Sequence, residues 1–462
     1  MTDHKDPASF RDPSGFVYRD VSGKIFRQIN RPYENEYQAI QASGLWDKLI
    51  ADGLLVPHRP VPLDLRATDD AVAVLEPQPI PFISYPYEWC FGQLRSAALL
   101  TLEIQLRALE KGFVLKDASA FNVQFNGCKP VFIDTLSFEQ YRENEPWVAY
   151  GQFCRHFLAP LALMRYRNTS LNRLLSIHID GVLLECVSPL LPWQSWLRSG
   201  IAVHVHMLGK AEQAYKKKRE VTEPVSGRLK KGNLIALVDS LKSTVRGLQY
   251  KQMQGLWTNY DSNESYSEAG VCAKRSWVRA TLDKVKPAVT WDLGANTGEY
   301  SRMAAAAGSY VIGMDGDSSC IQHMWEANHD RVLPLAMDLS NPTPSLGWAH
   351  TERASLLERG PADCALALAL LHHLAIGNNV PLDRLAVFFA RCARCLLVEW
   401  VPKEDPQCQR LLVSRRDIFT NYTREAFEHF FTSQFDIDDM LELPQSGRVL
   451  YRMQSKIVGL AQ

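Results

Sequence analysis

No excess of charge, no long apolar run and no cysteine framework mark this 462-residue sequence. Its 51 basic and 51 acidic residues cancel, so no overall field draws the protein toward nucleic acid or an anionic membrane, and only local patches are left to do so. No segment approaches the roughly 18 consecutive apolar residues of a membrane span. The polar start MTDHKDPASFRDPSG has no apolar stretch behind it, which is unlike a signal peptide and leads to the expectation of a cytoplasmic protein. The ten cysteines are scattered over both halves, as thiols of a reducing compartment are. Cys392 and Cys395 form a C-x-x-C, but within the apolar stretch AVFFARCARCLLVEW and without a second ligand pair. Packing rather than zinc is expected there, and no metal site is expected elsewhere.

What is present is enough apolar material for real cores: 46% hydrophobic against 22% charged residues, the balance of a globular protein. The length suggests two domains. Residues 1–200 mix β-like runs with helical stretches and Pro-rich turns, an α+β pattern. Residues 201–256 read as a helical, basic connector around KKKREVTEPVSGRLKKG. The charges from Lys216 to Arg219, resuming at Arg228, Lys230 and Lys231, are expected to be solvated rather than to bind nucleic acid. From 257 to 462 short apolar runs alternate with helices, as in a parallel, doubly wound α/β sheet.

In such a sheet ligands sit at the carboxyl ends of the strands. Here those ends carry acids: Asp292, Asp315 and Asp338, each 23 positions from the next. The first is followed by Gly294 and Gly298, which flank a turn that must pass close to a ligand. The turn reads D-x-G-x-N-x-G, not the G-x-G-x-x-G that seats a pyrophosphate, and its leading carboxylate suits an ammonium or sulfonium.

At these residues the sequence resembles the class I S-adenosylmethionine-dependent methyltransferases, and a Rossmann-like fold follows as the expectation. The resemblance implies a cofactor site of Asp292, Gly294, Ala295, Asn296 and Gly298 around the methionine part, Asp315 on the ribose hydroxyls, and Asp338 with Leu339 at the adenine. Asn296 stands where the family commonly has glycine. The run Leu370-Leu371-His372-His373-Leu374 resembles the element after the fourth strand of many small-molecule methyltransferases, which makes His372 or His373 a candidate general base. Glu399, at the end of CLLVEW, is a second candidate. Trp257, Tyr260, Tyr266 and Lys274 are candidates to cover the cofactor.

A second constellation lies at Asp117, Asn122 and Asp134, whose spacing matches the catalytic Asp, metal-binding Asn and metal-binding Asp of kinase-type phosphotransferases. The order of elements resembles a degenerate kinase-like, aminoglycoside-phosphotransferase-type lobe. Phe16 to Ile29 reads as a hairpin turning at Asp20-Val21-Ser22-Gly23, with Lys24, Arg27 or Arg31 available for phosphate and Glu34 or Glu36 as an ion-pair partner. The competing reading is a β-hairpin bending at Asn126-Gly127 whose Asp and Asn residues cap turns.

Taken whole, the chain resembles a bacterial group of two-part methyltransferases, some of them named nodulation proteins. The resemblance implies methyl transfer to a small molecule, or to a glycan or lipid-linked metabolite, with the N-terminal lobe assisting recognition. The alternative is a kinase-like phosphotransferase or nucleotide sensor with the second domain as scaffold. Oligomeric state is not legible in the sequence.

Overall fold

A computed structural model describes residues 5–217, 230–251, 266–413 and 416–457. The chain divides into two compact units. Unit 1 comprises Met1–Lys251 together with Leu346–Arg353, and unit 2 comprises Gln252–Ser345 and Ala354–Gln462.

Unit 1 begins with strands β1 (Gly15–Arg19) and β2 (Ile25–Asn30), followed by β3 (His58–Val61) and β4 (Ala71–Pro77) in an antiparallel sheet ordered β1-β2-β4-β3. The first hairpin closes because Asp20 Oδ1 accepts the backbone N–H groups of Ser22 and Lys24, each at 2.9 Å. Alternation along β1 turns Phe16 and Tyr18 onto Phe26 and Val74 to form a small core. The helix Phe91–Glu110 follows, its entry fixed by Gln93, whose side chain accepts the Cys90 N–H at 2.9 Å. Strands β5 (Phe113–Leu115) and β8 (Phe138–Gln140) pair with each other. Between them lies the hairpin of β6 (Val123–Asn126) and β7 (Lys129–Phe132), which bends at Gly127 with φ 57°.

The stretch read from sequence as a connector contains the helix Lys231–Gly247, which buries Leu234, Val238, Leu241 and Val245 on one stripe. That helix packs on Phe91–Glu110. Lys242 pairs with Glu103 at 2.5 Å, and Arg95 Nη2 donates to the Arg246 carbonyl at 2.9 Å, at the helix's C-terminal end where a cation is favoured. This part of the chain is therefore integral to unit 1. Arg219 and Arg228 of the basic run lie outside the described residues.

Unit 2 is built on one seven-stranded sheet: β9 (Val289–Leu293), β10 (Tyr310–Asp315), β11 (Val332–Ala336), β12 (Ala362–Ala367), β13 (Ala393–Trp400), β14 (Phe435–Glu442) and β15 (Val449–Ser455). Their order is β11-β10-β9-β12-β13-β15-β14. The first five are mutually parallel, and β15 runs antiparallel to both neighbours. Strands buried on both faces read as continuous apolar runs, which is why β9 to β13 were visible in the sequence. β14 was not, because it is an edge strand carrying four acids, mostly exposed, with a register shift between Ile437 and Asp439. The sheet reverses direction of winding at β9, which has β10 on one side and β12 on the other. That switch point opens a crevice at the strands' carboxyl ends.

Candidate functional site

The turn leaving β9 is held in an unusual backbone path. Gly294, Asn296 and Gly298 have φ of 75°, 48° and 80°, the left-handed region that residues with a Cβ adopt at a cost and asparagine tolerates better than most. Asparagine at 296 therefore keeps the loop geometry that glycine would give. A Cβ on Gly294 would meet Leu370 Cδ1 at 3.1 Å, and one on Gly298 would meet Met324 Cε at 2.9 Å. The loop is pinned to β10 by the N–H groups of Gly294 and Ala295, both bonded to the Met314 carbonyl at 2.9 Å.

The strand-end acids converge on one cavity of about 670 Å³, lined among others by Asp292, Gly294, Ala295, Asn296, Asp315, Asp338 and Leu339. This volume lies within the roughly 300–1,000 Å³ of small-molecule sites. Gly298 is not on the wall; it shapes the turn at the start of the helix Glu299–Ala306.

Asp292 is buried and accepts the Ser301 hydroxyl at 2.6 Å. Burial, with the neighbouring Asp315 charge adding to it, pushes its carboxyl up to about 6. Asp315 accepts one backbone N–H on each oxygen, from Asn296 and from Asp317, both at 2.8 Å. A carboxylate offers about four lone-pair directions, so one remains on each Asp315 oxygen, an arrangement matched to a pair of adjacent hydroxyls. Asp338 Oδ1 takes the Ser340 N–H and hydroxyl at 2.9 and 2.7 Å, forming an Asx turn that fixes the side chain at the cavity edge. Among the described residues no ion pair reaches Asp292 or Asp315.

The two histidines part company. His373 lines the cavity, and burial, helped by the Arg448 charge, lowers it to about 4. His372 is fully buried behind it, with neither ring nitrogen hydrogen-bonded and the ring centroids 4.1 Å apart.

Glu399 is corrected by its surroundings. It is fully buried in β13, off the cavity wall, and both oxygens are hydrogen-bonded. Lys274 Nζ donates to Oε2 at 2.6 Å, while Oε1 accepts from Tyr266 at 2.7 Å and from Arg448 at 3.2 Å. Burial works to raise its carboxyl, but Lys274 and Arg448 outweigh that and hold it below the ordinary range. A carboxylate so placed is a member of a buried ion network rather than of the cavity lining. Arg448 extends the network by a two-pronged pair with Asp405 at 2.7 and 3.0 Å. Lys274 also sits 4.9 and 5.2 Å from the Tyr266 and Tyr300 ring centres, and all three line the cavity. Of the expected covering residues, Tyr266 and Lys274 are thus at the site; Trp257 and Tyr260 lie outside the described residues. Arg448, Asp405 and Tyr300 were missed, although a glutamate inside the apolar run LLVEWV signals that a cation must come from elsewhere.

In unit 1 the residues of the second constellation are neighbours. Asn122 Nδ2 donates to the Ser137 hydroxyl at 3.2 Å, and Ser137 donates in turn to Asp134. Asp117 accepts the Ser119 N–H at 2.9 Å, and burial together with the Asp134 charge raises its carboxyl. Asp134 forms an ion pair with Arg27; burial would raise its carboxyl, yet Arg27 brings it below the ordinary range. Two of the three cations expected to serve phosphate are engaged, Arg27 by Asp134 and Lys24 by Glu76 at 2.7 Å, while Arg31 is exposed. Glu36 accepts the Gln140 N–H at 2.9 Å.

Strand order, glycine turn and strand-end acids together define unit 2 as a Rossmann-like, doubly wound unit with its crevice at the strands' carboxyl ends. No protein-family model matches the chain. It is 34% identical over 459 residues to nodulation protein NoeA of Rhizobium meliloti (strain 1021), covering 96% of this chain and 95% of that protein. The chain belongs to the family of that nodulation protein. Among solved structures, N-methyltransferase NodS from Bradyrhizobium japonicum WM9 in complex with S-adenosyl-L-homocysteine is similar over 42% of this chain and 91% of its own, at 10% identity and a TM-score of 0.32. Magnesium protoporphyrin IX methyltransferase from Synechocystis PCC 6803 with bound S-adenosylmethionine is similar over 45% of this chain and 88% of its own, at 17% identity and a TM-score of 0.29.

Proposed function

We propose that the protein is an S-adenosylmethionine-dependent methyltransferase whose acceptor is a small molecule, of glycan or lipid-linked kind, with unit 1 contributing to its recognition. One observation carries this reading: two carboxylates, the buried Asp292 and the half-buried Asp315, face a single cavity without an ion-pair partner among the described residues. Acids in that state call for a ligand that brings positive charge and hydroxyl donors. The cofactor fits both demands. Asp292 would stand by its ammonium or sulfonium, Asp315 would take the ribose diol through its two remaining lone pairs, and Asp338 with Leu339 would border the adenine. When bound, the cofactor supplies a methyl group already activated on a positively charged sulfur.

What the chain must add is orientation and proton removal. His373, neutral and on the cavity wall, is the group placed to accept a proton from an acceptor hydroxyl or amine. Lys274 and Tyr266, locked to Glu399, hold the helix Glu268–Val285 against the strand ends and keep that wall fixed. The acceptor class is supported by the family relationship to a nodulation protein. In unit 1 the Arg27–Asp134 pair supplies at Asp134 the charge that a metal ion supplies in a phosphotransferase, which favours a lobe that binds over one that phosphorylates.

Calorimetric titration with S-adenosylhomocysteine tests the reading. Saturable binding is expected, weakened about 10- to 100-fold in Asp315→Ala, since two hydrogen bonds to a charged group are lost. Absence of binding to folded protein would overturn the cofactor assignment. Incubation with methyl-labelled cofactor and a metabolite extract, followed by mass spectrometry, then identifies the acceptor.

A further inference from the structure

The helical part of unit 1 carries a feature that methyl transfer leaves unused. Between 190 and 197 the chain runs LLPWQSWL, and four large apolar side chains face solvent: Leu190 at 51% exposure, Trp193 at 69%, Trp196 at 40% and Leu197 at 73%. Single exposed apolar residues are ordinary; four within eight positions, two of them tryptophan, are not.

The segment rests on a built base. Ser195, buried among them, donates to the Pro192 carbonyl at 2.6 Å and meets His206 Nε2 at 2.8 Å. Trp196 lies flat on the His206 ring, with centroids 4.2 Å apart and planes 7° from parallel. On this base Trp193 and Leu197 are the most open of the four.

Cations border them. The Lys210 ammonium lies 4.6 Å from the centre of the Trp196 ring, Arg167 donates to the Leu190 carbonyl, and Arg198 follows Leu197 in the chain and is exposed. Over residues 165–210 there are five basic side chains and two acidic ones, in a chain whose charges balance as a whole.

We infer that this surface docks the protein on an anionic lipid bilayer, with Trp193 and Leu197 entering the headgroup boundary and Lys210, Arg167 and Arg198 meeting the lipid phosphates. Tryptophan favours that boundary because its ring is apolar and its indole N–H polar. Basic side chains are drawn to an anionic leaflet within a Debye length of it. The local positive excess matches this occupant by charge: an anionic bilayer offers phosphates to the cations and a headgroup boundary to the tryptophans in one surface.

Sedimentation of the full chain with phosphatidylcholine vesicles containing a quarter phosphatidylglycerol tests the inference. The protein is expected to sediment with these vesicles, several-fold less with phosphatidylcholine alone, and about tenfold less as Trp193→Ser/Leu197→Ser, with that variant's circular dichroism and melting temperature unchanged. Lys210→Glu is expected to weaken only the binding that depends on phosphatidylglycerol. No sedimentation of folded wild-type protein, or undiminished binding by the double variant, overturns it. So does a dimer in analytical ultracentrifugation that the double variant dissociates, since the occupant would then be a second copy.

Discussion

Asp292 is the side chain whose protonation decides how the cavity treats a cation. With its carboxyl pushed to about 6 by burial, it is neutral at pH 5 and charged at pH 7.5. Its folded value lies above the unfolded one, so its ionisation opposes folding: ligand-free protein gains from the protonated form below the unfolded value and loses that gain as pH rises through about 6. A cationic ligand reverses the preference. Affinity for S-adenosylhomocysteine, titrated from pH 5 to 8, is expected to be flat above about 6.5 and to fall by up to about tenfold per pH unit below 6, with proton release on binding at the lower end. His373, already neutral above about 4, contributes no break in that range. The histidines themselves separate by substitution. His373→Ala is expected to lower turnover by about 10²- to 10⁴-fold with cofactor binding kept, whereas His372→Leu, which removes two buried nitrogens without hydrogen bonds, is expected to leave both turnover and melting temperature nearly unchanged. A turnover loss confined to His372→Leu would exchange their roles. The places of Asp292, Asp315, Asp338 and His373 on the cavity wall were legible because each follows an apolar run; the place of Glu399 off that wall was not, because its position in the strand says nothing of the cations around it.

At the scale of elements, the buried ion network explains how the helix Glu268–Val285 is fixed to β13 and to the residue before β15. Lys274 comes from the helix, Glu399 from β13, Asp405 from the segment after it, and Arg448 from the entry to β15. Residues up to 174 positions apart in the sequence thus share one charge cluster; pairing of that range is fixed by topology, which is why it could not be read from spacing. Arg448→Met leaves Glu399 with Lys274 and the Tyr266 hydroxyl, and Asp405 without its two-pronged partner. The expected cost is about 3–5 kcal/mol, visible as a fall in the denaturant midpoint. Lys274→Met is expected to cost less, because Arg448 and Tyr266 still reach Glu399. The parallel strands β9 to β13 were readable for the opposite reason: burial on both faces writes itself into consecutive apolar residues, while β14 has acids on an open edge and leaves no such trace. In unit 1 the hairpins at Asp20–Gly23 and Asn126–Gly127 were legible from turn chemistry. The helix Lys231–Gly247 was obscured by the basic run before it.

At the scale of the molecule, one chain, related along nearly its whole length to a nodulation protein, carries two compact units: one with the strand-end cavity, the other with Asp117, Asn122 and Asp134 tied into an internal network. The strand order has a consequence for the order of events during synthesis. β15 lies between β13 and β14 although it leaves the ribosome after both. Until residues 449–455 emerge, the open edge of β13 has no partner and Glu399 lacks Arg448, so the sheet of unit 2 cannot close progressively as its strands are made. Released chains truncated at residue 445 and probed with protease are expected to show unit 2 cleavable, and the full chain to show it protected. The last strand to be made is the keystone of this sheet, and ribosomes that pause shortly before it would expose a bare β-edge to every neighbouring chain.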